Sequence, residues 1–347
     1  MPPKERLHYF DVLKGIAIYM VVMGHVLCLC MSDMDDSVPF RLIGSIHMPL
    51  FFFISGWFSY KLLPDGRVVR PDLRKRFVQL MLPTAVVGSL YILVYNHLGL
   101  YRHEETSLGW FWLSAGKQGY WFTVSLFEIM VIYAATAKLL HRLHRTPLSI
   151  AAALVLSVAI VAAGKLFPAI DKPLQLNATG CYTFPFLIGV IARRQKDGFA
   201  RLLHSDVAMT LAIIVLAGCL TVNVQYRHLG NAVLFVSRLV SHIPLAMIAI
   251  AVIRPWTDAS YGRPDGPSAA VRVWVYLGRN SLGIYLLHYF MLFPMQTAET
   301  WLRPMLPGFV PVALTAAVAA AAVVGCTCMV IELLKPSRIL TRLFTGT

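Results

Sequence analysis

Of the 347 residues, 57% are hydrophobic and only 14% charged, with a mean hydropathy of +0.65. A soluble domain carries about 45–50% apolar and about 25% charged residues, so no single soluble core absorbs this excess, and the surplus must face lipid. The net charge of +14 does not point to nucleic acid, because the basic residues form short clusters between apolar runs, such as Arg74-Lys75-Arg76 and Arg193-Arg194, not a stripe with interleaved aromatics.

A hydrocarbon core of about 30 Å takes roughly 20 apolar residues per helix. Ten segments of that kind are predicted, approximately 10–31, 41–60, 77–97, 119–140, 148–166, 179–192, 205–223, 232–253, 280–297 and 310–334. They predict an all-α polytopic membrane bundle, one transmembrane domain over residues 1–347, with no room for a separate soluble domain. With the amino terminus placed in the cytoplasm, 23 Lys and Arg residues fall on the inner side and 8 on the other. The positive-inside bias therefore predicts that both termini are cytoplasmic.

Segment one is long for a cleaved leader and lacks a small-residue cleavage pattern, so it is read as a span. Asp11 and Lys14 lie at its inner end and His25 near its outer end. Lys14 and His25 are eleven residues apart; at about 100° and 1.5 Å per residue they share one stripe, roughly 16 Å apart. Asp11 and Lys14 are suited to snorkelling at the interface, whereas an imidazole at depth is costly and marks a site. Cys28-x-Cys30, and Cys326-x-Cys328 near the other end of the chain, have a metal-like spacing, but residues i and i+2 of a helix diverge. No metal site is expected.

Segment two contains His47 followed by Met48-Pro49, a Phe triplet and Ser55-Gly56-Trp57, placing His47 at a depth similar to His25. Its Ser-Gly pair allows close helix approach. Arg74-Lys75-Arg76 precede segment three; such a cluster either enforces topology or holds the phosphates of an anionic donor. In segment four Trp121 and Glu128 are seven residues apart on nearly one face. A glutamate at that depth needs a partner from another helix. Pro185 in segment six and Pro294 in segment nine are candidate kinks, and the stretch 254–279, with Gly262, Pro264, Gly266 and Pro267, is expected to be a mobile loop. Segment nine places Ser281, Tyr285 and His288 on a shared face just after Asn280. Together these groups predict a polar cavity inside an apolar bundle.

Four of these stretches, in order, resemble the acyltransferase 3 family of bacterial membrane O-acyltransferases. Arg6 through Gly15, followed by Gly24-His25, is similar to the family's opening R-x-x-x-L-D-x-L-R-G…H. Pro49 through Trp57 resembles P-L-F-F-x-x-S-G-F. Trp121-Phe122 with Leu126-Phe127-Glu128 is similar to a fourth-helix pattern in the sugar-acetylase branch. Leu277 through His288 resembles L-G-x-x-S-x-x-I-Y-L-L-H.

The resemblance implies transfer of an acyl group, usually acetyl, from cytoplasmic acyl-CoA to a hydroxyl of a sugar, surface glycan or lipid-linked glycan precursor. Acyl-CoA is then a co-substrate, and no bound cofactor is expected. It also implies that His25 is essential as general base, or less favourably as a transient acyl carrier, in a multi-pass inner-membrane enzyme. Lys14, Lys75 and Arg76 would meet the CoA phosphates. Glu128, counted with His25 as catalytic, or His47, Tyr285 or His288 would orient it, and Asp11, Ser55, Trp121 and Asn280 would complete the cavity. Two departures stand out: Lys14 where the family has Arg, losing the planar fork, and Gln79 where the family tends to repeat Arg after Arg76. The rival reading is a secondary transporter, a class that often shows internal repeats and paired broken helices, but the two halves show no convincing similarity and the motifs are not repeated.

Overall fold

The computed structural model describes residues 6–31, 37–97, 107–114, 117–143, 145–292 and 309–346, of which 86% are helical, with no strand among them. Pro294 lies outside the described residues. The helices are α1 (His8–His25), α2 (Val38–Ser59), α3 (Leu73–His97), α4 (Leu108–Leu113), α5 (Trp121–Arg142), α6 (Thr146–Leu166), α7 (Pro168–Leu174) and α8 (Leu176–Arg194). They continue as α9 (Lys196–Leu203), α10 (Asp206–Gln225), α11 (Asn231–Tyr261), α12 (Ala269–Arg279), α13 (Ser281–Leu287), α14 (Phe309–Leu334) and α15 (Arg338–Phe344).

Among the described residues, eight helical stretches are long and apolar enough to cross a bilayer, nine if the bent pair α7–α8 is one span, and Ser281–Met291 forms a shorter apolar helix. These ten follow the predicted segments in order, and the chain is a multi-pass membrane protein. The α7–α8 pair bends by 61°. The break is not at Pro185, which lies inside α8, but at Gln175, a non-glycine residue in the left-handed region with φ +55°.

The chain packs as two compact units. The first comprises Met1–Phe51 and Ala200–Leu333. At its heart α12 crosses α1 with almost no side chain between them. An added Cβ at Gly278 would lie 1.7 Å from the Asp11 carbonyl oxygen, and one at Gly15 2.1 Å from that of Trp274. Beside the crossing, Val12, Val271 and Val275 form a buried cluster flanked by Ile16, Ile253, Tyr261 and Trp274. Elsewhere in the unit, the Tyr19 hydroxyl donates to the Ala317 carbonyl on α14 and Arg41 donates to the Val224 carbonyl at the end of α10.

The existence of α12 corrects the expectation of a long mobile loop. Gly262, Pro264, Gly266 and Pro267 all fall within the short connection 262–268, and after them Ser268 caps the new helix by accepting from the Val271 amide. At 11 residues, α12 is too short to span. Its buried Val271, Val275, Leu277 and Gly278 fall at helical spacing, which is the pattern of an amphipathic helix lying on a neighbour.

The second unit comprises Phe52–Phe199 and Leu334–Thr347. It repeats the close-crossing device: a Cβ on Gly56 would meet the Phe186 carbonyl oxygen at 1.8 Å, and one on Gly189 that of Phe53 at 2.0 Å. Small residues at a crossing let backbones approach, which is how helices associate where water gives no hydrophobic drive. Arg194, at the end of α8, donates to the Leu140 carbonyl and to Ser149 Oγ, tying α8 to the ends of α5 and α6.

Candidate active site

His25 is the last residue of α1, and the chain continues as a π-helical turn over Val26–Cys30. Such wide turns recur at functional sites. His288 likewise marks a change of geometry, following α13 and opening the 3₁₀ turn His288–Met291. The two rings stack, with centroids 5.0 Å apart and planes within 21°. His25 is partly exposed, whereas His288 and the following Tyr289 are buried.

The hydrogen bonds determine where every proton of this group sits. His288 Nδ1 is 3.0 Å from the Ile284 carbonyl, which can only accept, so Nδ1 of His288 carries hydrogen. Neutral His288 then has a lone pair on Nε2, which lies 2.9 Å from His25 Nδ1. His25 Nδ1 must donate to it, leaving the lone pair of His25 on Nε2. That atom accepts from the Tyr289 hydroxyl at 3.0 Å. The tautomers follow from this network, read from the fixed end. The result is an imidazole with one basic nitrogen, oriented by a neutral second imidazole where hydrolytic triads use a carboxylate.

Asp11 organises the other end of α1. Its carboxylate takes Lys14 at 2.9 Å and Arg6 at 2.9 Å, with Arg279 of α12 at 3.7 Å. Asp11 is 6% exposed, so it is buried among its partners and does not snorkel. Three cations around one anion leave a net positive group there, a suitable place for phosphate. Lys14 contributes to that field while being bonded to Asp11.

The remaining members of this unit have local partners. His47 Nδ1 donates to the Ile43 carbonyl at 2.6 Å, one turn back. Tyr285 is buried with its ring 6.4 Å from that of His288, and Asn280 donates to the Tyr276 carbonyl.

Glu128, Trp121, Ser55, Lys75 and Arg76 belong to the second unit. Glu128 finds the interhelical partner expected of it: Thr179 Oγ1 on α8 donates to Glu128 Oε2 at 2.6 Å. Trp121 of α5 stacks on Tyr182 of α8, with centroids 5.4 Å apart, and Tyr182 stacks on Phe52 at 4.7 Å. Lys117, just ahead of α5, is 1% exposed with φ +43°, and its ammonium donates to the Trp112 carbonyl. Burial lowers its pKa from the usual lysine range, against an opposing pull from the Glu128 carboxylate. A buried charge and a left-handed non-glycine residue each cost free energy, and such costs concentrate at functional positions.

Ser55 accepts through its carbonyl from the Ser59 hydroxyl. Lys75 is exposed near the start of α3, where the Asp72 carboxylate accepts from its backbone amide. Arg76 is half-buried and donates to Gln79 Oε1 at 3.2 Å. Gln79, the departure from the family pattern, therefore steadies Arg76 where a second arginine would repel it.

Five participants went unnoticed as site residues in the sequence: Tyr289, Arg6, Arg279, Lys117 and Thr179. Arg6 and Arg279 lie inside the quoted motifs and Tyr289 directly follows one. Lys117 and Thr179 carry no local signal, since their roles arise from packing against Glu128.

The pattern of one protein family, described as an acyltransferase domain, matches residues 7–331. The chain belongs to the acyltransferase 3 family. That span takes in all four motifs except Arg6, the first residue of the first, together with every residue of the His25 relay, and it removes the basis for a transporter. Among curated proteins, the chain is 29% identical over 143 residues to nodulation protein NolL of Sinorhizobium fredii, covering 36% of each chain. It is 37% identical over 82 residues to nodulation protein NolL of Mesorhizobium japonicum, covering 21% of each. The matched stretches thus span about a third or less of those relatives. No solved structure matches the chain.

Proposed function

We propose that this acyltransferase moves an acyl group, acetyl first among candidates, from cytoplasmic acyl-CoA to a hydroxyl of a sugar, surface glycan or lipid-linked glycan precursor in the inner membrane. The observation that carries this reading is the single lone pair on His25 Nε2, held in place by His288. Nε2 takes the proton of the acceptor hydroxyl as its oxygen forms a bond to the thioester carbonyl carbon. The charge that develops on His25 is stabilised through Nδ1–H by the lone pair of His288. When the carbon–sulfur bond breaks, the proton passes to the departing CoA thiolate.

Positive charge at the inner ends of the helices supports an anionic donor. In the first unit this is the group around Asp11, with Lys14 as the residue assigned to phosphate. In the second unit it is Lys75 with Arg76. Calorimetry on the purified chain should show saturable acetyl-CoA binding; absence of binding at millimolar donor would remove the reading.

Replacing Lys75 and Arg76 together by Gln should weaken that binding about ten-fold or more, since charge-assisted hydrogen bonds contribute roughly 1.5–3 kcal/mol. Insertion should be unaffected, because the apolar part of α3 is untouched. Unchanged affinity in the double variant would leave these two residues with topology alone.

A further inference from the structure

The Tyr289 hydroxyl stands where an attacking oxygen has to stand, 3.0 Å from His25 Nε2. It is delivered there by packing. The residue is 1% exposed, its ring lies 4.2 Å from that of His288 and 4.9 Å from that of His25, and it sits in the tight turn beginning at His288. We propose that Tyr289 guards the base: it occupies the only free lone pair of the relay until an acceptor hydroxyl displaces it, and so denies that base to water. This rests on the acyltransferase reading above.

A phenol is a fitting guard. It is a far weaker acid than an imidazolium, so the proton stays on Tyr289 and the base is masked without being spent. Water is the competitor that matters. Its oxygen can bond to the thioester carbonyl carbon while its proton goes to His25 Nε2. Breakage of the carbon–sulfur bond then releases free acid, and the same proton ends on the CoA thiolate.

A positioned hydroxyl within the chain outcompetes a free water molecule for Nε2, because its translational freedom is already lost on folding. An acceptor is different. The rest of the molecule makes contacts remote from the reacting hydroxyl, and that binding energy is available to displace Tyr289. The base is thereby exposed mainly when a proper nucleophile has arrived.

The test is acyl-CoA hydrolysis without any acceptor. The full chain in lipid nanodiscs is incubated with acetyl-CoA, thiol release is followed with a thiol reagent, and acetyl-CoA affinity is measured on the same samples. Tyr289→Phe removes one oxygen and keeps the ring, and Tyr289→Met is a second side chain without a hydroxyl. Release should rise roughly two- to ten-fold, the range corresponding to one hydrogen bond of occlusion, and the rise should vanish when His25→Asn is added.

Donor binding with no rise in either variant would overturn the proposal, as would a rise that persists without His25. Failure of the unaltered chain to bind acetyl-CoA would instead overturn the acyltransferase reading itself.

Discussion

His25→Asn should reduce acyl transfer from acetyl-CoA by roughly 10²–10⁴-fold, the range that general base catalysis contributes. Asparagine keeps a side-chain donor and acceptor near His288 and Tyr289, but its amide cannot take up a proton near neutral pH. The Ile284 carbonyl and the His288 Nδ1–H are untouched by the change, and only the ring on which His288 stacks is lost. The thermal midpoint of the purified protein should therefore shift by no more than a few degrees, and acetyl-CoA affinity should hold. Transfer, midpoint and affinity measured on one preparation separate chemistry from folding. If activity and stability fall together, His25 is a packing group; full activity in a stable variant would remove it from the mechanism.

The second large effect concerns folding. Gly278→Ala should abolish or severely reduce the yield of folded protein, because the added methyl would lie 1.7 Å from the carbonyl oxygen of Asp11 and 3.0 Å from the Gly15 nitrogen. Both obstacles are main chain, so no rotamer change relieves them, and α12 must move away from α1. Overpacking of a well-fitted core costs typically 1–3 kcal/mol even where side chains can adjust. Here they cannot, and the cost should exceed that range.

Movement of α12 would also carry Arg279 away from Asp11 and loosen the cluster of Val12, Val271 and Val275. Gly325→Ala in α14 is the matched control: its added methyl meets nothing within 4 Å. There alanine should be neutral, or stabilising by roughly 0.5–1 kcal/mol through the lower entropy cost of ordering it in a helix. Size-exclusion profiles and thermal midpoints of the two variants decide the matter. Equal behaviour would mean that the α1–α12 crossing is not what holds the first unit together.

The membrane class of this protein was determined by sequence alone, and the reason is physical. A run of about 20 apolar residues has few stable outcomes other than a spanning helix, so segment order and number can be read from hydropathy. Relay members His25 and His288, and the half-buried Glu128, were legible for a related reason, since polar groups within such runs are too costly to keep without a role. Lys14 and Asp11 were visible as a pair at the end of α1, although only the structure adds Arg6 and Arg279 and buries the carboxylate.

Tertiary structure alone decided the rest. Nothing in the local sequence around His25 states which nitrogen carries its proton; that depends on a carbonyl at Ile284 and a hydroxyl at Tyr289, some 260 residues away in the chain. Gln175, not Pro185, marks the bend because a proline can be accommodated inside a packed membrane helix, whereas a left-handed residue cannot continue one. Helix α12 was hidden because it is too short and too polar to span, and its apolar side is recognisable only once α1 is there to receive it. Hydropathy records what each residue does against lipid; partners, tautomers and crossings are decided by what it meets in the rest of the chain.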